Sequence, residues 1–379
     1  MNDLWDAAIV VHGGGPTAVL NASLVGLIDA CRASNRIRRL YGARGGAHGL
    51  LTNDWLDLSA LPSSLLAEIR RAPGSVLGSS RKPFDHTHLG PAIARCRDQG
   101  VGAIFFTGGN GTMKTAYLAH QSGELLVAGV PKTVDNDLLG THHCPGFGSA
   151  ARFYAQAVRD IGADNRALPS PVTIVEVIGR NAGWVVGATA LARSRPDDAP
   201  HLIYLPECPP ALDQICADVQ AVYARLGRVV VAVCEGLRDP QGRPFGADLD
   251  RAGDQRHELP SNLAHTLARA ISQATGLRVR SEKPGLLGRS CSFAVSAADA
   301  QASYRCGFDA VQAVERGESG VMIGLTETGD TATVPLARVA GFERLVPREW
   351  IAPGGNNVTL EFLRYAAPLA GAIDPWPTL

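Results

Sequence analysis

The stretch "VGAIFFTGGNGTMKTA", Val101 to Ala116, decides the fold. Its apolar run, Val101 to Phe106, is unbroken rather than alternating. Strands read this way when helices cover both faces of a parallel sheet. The run stops at Gly108 and Gly109, where the backbone amides of a Gly-Gly-Asn-Gly-Thr turn are open to a ligand. Further apolar runs occupy 7–11, 124–130, 172–179, 201–206, 228–236 and 320–327, and amphipathic stretches lie at 149–163, 210–226, 260–275 and 298–316. This alternation predicts an α/β fold with mainly parallel sheets and crossover helices. Ligands of such sheets bind outside the carboxyl ends of the strands. The glycines at 13–15, 108–109 and 179 therefore lie on the expected rims.

The bulk properties narrow the class. A chain of 379 residues, 45% hydrophobic and 19% charged, suits a globular protein of roughly two domains. Lys plus Arg equals Asp plus Glu, 36 against 36, which argues against nucleic acid or an anionic membrane as the main partner. No apolar run approaches the roughly 18 residues of a membrane span. The acidic start running straight into Ala7–Val11 reads as a first buried strand rather than a signal peptide. Eight cysteines, scattered without a CxxC pair, read as buried free thiols of a cytoplasmic protein. The polar, Pro- and Gly-rich span 237–261 reads as a long surface loop.

Three segments carry chemistry. In "HGGGPTAVLNASL", His12 to Leu24, three glycines after a strand allow close approach to an anion, and a helix starting near Thr17 turns its free N–H groups toward it. The dinucleotide spacing GxGxxG and the Walker lysine are both missing. In "GGNGT", Gly108, Gly109 and Gly111 expose backbone donors and Thr112 adds a hydroxyl. In "VPKTVDND", Pro131 ends a strand and Lys132 supplies positive charge. An extended loop would point Asp135 and Asp137 to opposite sides, one to take a proton from a hydroxyl and the other to face a metal. A solvated turn accounts for "DND" by itself, but not for its position one strand from "GGNGT". In "THHC", Thr141 to Cys144, adjacent histidines point apart and no second ligand pair follows, so a zinc site is not expected.

These segments, with "LGSSR" (77–81), "PGFGSAAR" (145–152), "EVIGRNAGW" (176–184), "CEG" (234–236) and "KPGLLGRS" (283–290), give a chain that resembles the phosphofructokinases over most of its length. The overall flavour is that of the pyrophosphate-using branch. The resemblance implies two Rossmann-like lobes with the active cleft between them: a donor-binding lobe of 1–147 plus 289–338, and a sugar-phosphate-binding lobe of 148–288 plus 339–379. It implies Mg²⁺-dependent transfer of a phosphoryl group from ATP or pyrophosphate to the C1 hydroxyl of fructose 6-phosphate, as in glycolysis, by a homodimer or homotetramer. Asp135 would be the base, Lys132 and Arg180 would complete the catalytic set, and Asp137 and Asn110 would hold the metal. Gly15, Arg81, Gly109, Asn110, Gly111 and Thr112 would bind the donor. Thr133, Asp135, Ile178, Gly179, Arg180, Glu235, Arg280 and Arg289 would bind the acceptor.

The chain departs from the family pattern at several positions. Asn110 stands where many members place a carboxylate. Leu286 and Gly288 stand where members carry a polar or imidazole side chain and a glutamine, which motivates a different sugar phosphate or alcohol as acceptor. A non-catalytic, ligand-sensing homologue is a further alternative, opposed by the retention of Asp135, Asp137, Lys132 and Arg180. On the donor, two residues disagree. Lys132 points to pyrophosphate. Gly111 leaves open the space that an aspartate fills in pyrophosphate-using relatives, and it tips the expectation slightly to ATP.

Overall fold

A computed structural model of the chain describes residues 6–81, 86–168, 171–245 and 262–377. The chain divides into two compact units, Met1–Phe147 with Ala297–Arg344, and Gly148–Ser296 with Leu345–Leu379. The later crossings fall a few residues beyond the expected 288/289 and 338/339. The side chains give the reason. Ser296 donates to Leu369 O at 2.6 Å and its N–H reaches Ser149 Oγ at 3.2 Å, so 289–296 stays with the second unit. Val339 is buried in the first unit's core, and Arg344 donates to Thr141 O at 2.6 Å.

The first unit contains a seven-stranded sheet. Its strands are β1 (Ala7–His12), β2 (Arg39–Ala43), β3 (Trp55–Asp57), β4 (Val101–Gly108) and β5 (Leu126–Pro131), with two that return late in the chain. The second unit contains β6 (Val172–Val177), β7 (Leu202–Tyr204), β8 (Val229–Cys234) and β9 (Val279–Glu282). The late strands of the first unit are β10 (Val321–Leu325) and β11 (Thr331–Pro335). The order is β11-β10-β5-β4-β1-β2-β3 in one sheet and β7-β8-β6-β9 in the other. The second sheet is parallel throughout, and in the first only the edge strands β3 and β11 run antiparallel.

Period-two alternation splits the first sheet's side chains between two cores. Ala8, Val10, Phe105 and Val130 pack on one face, and Ile9, Val11, Phe106 and Val127 on the other. Helices Leu20–Ala33 and Ala297–Glu315 cover the first face and cross closely. A Cβ on Gly307 would collide with the backbone of Ser23, while Ser23 and Ser303 share a 2.7 Å hydrogen bond. The other face lies against helices His86–Asp98 and Asn110–Gln121. None of the eight cysteines is paired, and all but Cys208 are buried. Among the described residues, no helix is long and apolar enough to cross a membrane. Residues 246–261 of the expected long loop lie outside the described residues.

Candidate active site

Strands β1, β4 and β5 are consecutive and parallel, with His12 opposite Thr107 and Gly108 opposite Pro131. The three motif loops of the first unit therefore leave the sheet side by side, at its carboxyl edge. β2 and β4 flank β1 on opposite sides, so this edge is also where the direction of chain winding switches.

The glycines are spatial requirements. A Cβ on Gly13 or on Gly108 would collide with Thr112 Oγ1, so the two loops close on one threonine hydroxyl. Gly13 N donates to Thr107 O at 2.9 Å, and Lys132 N to Gly108 O at 3.0 Å. Gly109 caps helix Asn110–Gln121, and Thr112 N donates to Gly109 O at 2.9 Å, so Asn110 and Gly111 carry the first-turn amides that a helix start offers to an anion. Gly111 is exposed, and a Cβ there would meet nothing within 4 Å.

Lys132 is only 2% exposed. Its ammonium donates to Gly13 O at 2.9 Å and Gly15 O at 2.6 Å. The lysine thus shapes the first glycine loop as well as charging its floor. A second segment is zipped onto the same loop: Gly14 N donates to Ser80 O at 2.9 Å, and Ser79 Oγ to Gly14 O at 2.7 Å. That zipper delivers the exposed Arg81 beside Gly13–Gly15.

His12, outside the expected site set, is fully buried at the exit of β1. Ser75 Oγ donates to Gly78 O at 2.7 Å, so the 2.8 Å contact between Ser75 and His12 Nδ1 uses the imidazole N–H as donor. Burial, then the charge of Lys132, pushes the His12 pKa down to about 3. The ring is neutral, and its Nε2 has no partner. Sequence placed His12 at the strand exit, but not its tautomer or its tie to Ser75.

The aspartate loop is not extended, contrary to expectation. Asn136 adopts φ +57° and its side-chain oxygen takes the N–H of Cys144 at 2.8 Å. Asparagine tolerates this left-handed conformation better than most residues. Asp135 N reaches Thr133 Oγ1 at 3.1 Å. Asp137 Oδ2 accepts from Asn110 Nδ2 at 2.7 Å, which leaves Asp137 Oδ1 and Asn110 Oδ1 buried without partners. Burial raises the Asp137 pKa and nearby Glu343 adds to the shift, while the hydroxyl of Thr133 and the amide of Asn110 oppose it. Two orphaned hard oxygens, one of them on a carboxylate that burial destabilises, are the donor chemistry that would hold a Mg²⁺ ion. Among the described residues, no group of three or more His, Cys, Asp or Glu could hold a metal on its own. In "THHC", burial pushes His143 down to about 4, and Arg344 donates to the backbone of Thr141 and His142.

In the second unit, β6 and β8 are neighbours. Ile178, Gly179 and Arg180 follow β6, and Glu235 follows β8, with its N–H on Val177 O at 2.8 Å. Gly179 N reaches Glu235 Oε1 at 3.4 Å. Arg180 adopts φ +43°, an uncommon conformation for a long side chain. Its carbonyl approaches Gly236 so closely that a Cβ there would collide. Arg289 lies on the short helix Leu287–Ser290, where Leu286 and Leu287 are exposed. Arg280 is placed differently. It pairs with Thr173 at the start of β6, about 16 Å along the strand from Ile178. The structure does not bring it to the strand exits with Arg180 and Glu235.

The family model described as Phosphofructokinase matches residues 7–314. A pyrophosphate–fructose 6-phosphate 1-phosphotransferase of Rhodospirillum rubrum is 37% identical, over 96% of this chain and 94% of its own length. An ATP-dependent 6-phosphofructokinase 3 of Streptomyces coelicolor is 31% identical, over 89% and 96% respectively. Among solved structures, the pyrophosphate-dependent phosphofructokinase of Marinobacter aquaeolei superposes with a TM-score of 0.87 at 29% identity, covering 98% of this chain and 93% of that one.

Proposed function

The chain belongs to the phosphofructokinase family, and from that premise we propose that it transfers a phosphoryl group to the C1 hydroxyl of fructose 6-phosphate. The observation that carries the reading is the convergence of Gly13–Gly15, Gly108–Thr112 and Lys132–Asp137 at three adjacent strand exits. The first unit binds the donor and the second binds the sugar phosphate. Such a reaction asks little covalent work of the protein, so positioning and charge neutralisation supply most of the rate.

In this proposal the amides at the start of helix Asn110–Gln121 and the loop held by Lys132 cradle the donor phosphates. Asp135 takes the proton of the attacking hydroxyl. Arg180 and Arg81 neutralise charge on the phosphoryl group in flight. Asp137 and Asn110 hold Mg²⁺ through their orphaned oxygens, and the bound ion supplies further neutralisation of the donor phosphates.

The relatives named as pyrophosphate-dependent support pyrophosphate as the donor. They do not support the preference for ATP that Gly111 suggested. A second reading keeps ATP as the donor, because the space beside Gly111 is open and an ATP-dependent relative also matches. The deciding experiment is a matrix of both donors against fructose 6-phosphate and other sugar phosphates, using purified protein and Mg²⁺. Pyrophosphate with fructose 6-phosphate is expected to give the bisphosphate. Turnover with ATP alone establishes the second reading, and phosphorylation of other sugars alone corrects the acceptor. Silence across the matrix sinks the enzymatic assignment.

A further inference from the structure

Gly288 sits in the short helix Leu287–Ser290, donates its N–H to Gly285 O at 3.1 Å, and is not among the glycines with positive φ. Its backbone would suit any residue, so conformation does not explain the glycine. Space does: a Cβ at 288 would lie 2.5 Å from Cε2 and Cζ of Tyr154 and closer still to its hydroxyl. Tyr154 comes from helix Phe147–Ala167 and is 1% exposed. Its hydroxyl accepts the N–H of Ile178 at 3.3 Å, at the first residue after β6. Burial raises the phenol's pKa, and nearby Glu235 raises it further, so the group stays protonated.

The turn that begins at Ile178 stores strain. Gly179 takes φ +153°, which a glycine tolerates, and Arg180 takes φ +43°, which in a non-glycine residue persists only where the surroundings over-determine it. Three contacts do so here. Tyr154 holds the Ile178 amide, Cys234 Sγ lies 3.5 Å from Arg180 O, and the bare Cα of Gly236 admits the same carbonyl. We propose that Tyr154 is a positioning residue that fixes the Ile178–Arg180 turn, and that residue 288 is glycine to admit its ring. The inference rests on the proposed role of Arg180 at the phosphoryl group, and it supplies the group that holds this arginine in register. Tyr154 acts through the turn and does not touch substrate.

Tyr154→Phe keeps the ring and removes only the hydroxyl. With fructose 6-phosphate and saturating donor, kcat is expected to fall about tenfold, or about 1.4 kcal/mol of transition-state stabilisation. Both KM values should stay within about threefold. Amide hydrogen exchange at Ile178 should accelerate at least about tenfold. A second series measures Tm: Gly288→Ala should destabilise the wild type but not a Tyr154→Leu background, which has room for the methyl group. Wild-type kcat in Tyr154→Phe, or unchanged exchange at Ile178, overturns the positioning role. Equal Tm losses in both backgrounds overturn the account of Gly288. If the wild type phosphorylates no sugar phosphate with either donor, the functional reading has failed, and the exchange and Tm measurements still decide the role of Tyr154.

Discussion

Gly111→Asp separates the two donor readings. Residue 111 is the second residue of helix Asn110–Gln121, is exposed, and offers open space to a side chain. The fold should accept the change. Glycine costs a helix up to about 1 kcal/mol relative to alanine, and aspartate recovers a few tenths of that. A carboxylate in the first helical turn adds about 0.3–1 kcal/mol through the helix dipole. Tm should therefore hold or rise by a few degrees. The donor feels the opposite effect. A carboxylate about 4 Å from a phosphate oxygen is repelled by about 4 kcal/mol at an effective dielectric of 20. Solvent at this exposed position reduces the penalty to roughly 2 kcal/mol, or about 30-fold in kcat/KM for ATP. Pyrophosphate has no third phosphate to meet the new charge, so its kcat/KM should change by less than about threefold. The assay is steady-state kinetics with each donor at fixed fructose 6-phosphate, with Tm measured alongside. Equal losses for both donors at unchanged Tm would refute the reasoning, because the open space would then not lie beside the part of ATP that pyrophosphate lacks.

Asp135→Asn should lower kcat by about 10²–10⁴-fold while substrate binding, followed by calorimetry, is largely kept; near-normal turnover removes the base from Asp135. Arg180→Lys should lower kcat substantially, since an ammonium cannot reproduce the guanidinium fork; a rise in KM alone makes Arg180 a ground-state binding residue. Asp137→Asn removes a buried carboxylate that pays for its desolvation, so metal-free Tm should rise and calorimetric Mg²⁺ binding should weaken at least about tenfold; unchanged Mg²⁺ affinity excludes Asp137 as a ligand. His12, His143 and His201 are depressed to about 3, about 4 and about 4, chiefly by burial. Their stability contribution is present above the unfolded pKa of about 6.5 and is lost as pH falls toward these values. Each fully titrating histidine costs about 2 kcal/mol between pH 7 and 5, and a Tm that is flat across that range contradicts their neutral state.

The sequence alone determined the α/β class and the strands that build both sheet centres. β1, β4, β5, β6 and β8 are continuous apolar runs because both of their faces are buried. It missed β2, β3, β9 and β11, which are short or polar, and three of these lie at sheet edges where water satisfies one side. It also read the glycine turns and the charged residues beside them, since a turn's backbone demands and a side chain's chemistry are local properties. Partners were not local. Lys132 was legible as a charge, but only strand order placed its ammonium under the carbonyls of Gly13 and Gly15. Asp137 was legible as an acid, but its pairing with Asn110 follows from β4 and β5 lying side by side. Arg280 carried the right chemistry, yet the register of β9 against β6 sets it beside Thr173. Tyr154 looked like any residue of an amphipathic helix, and Gly288 like a lost contact. Their fit against each other is decided by packing between segments far apart in the chain, where sheet topology brings the backbones together and steric exclusion selects which residue can stand there.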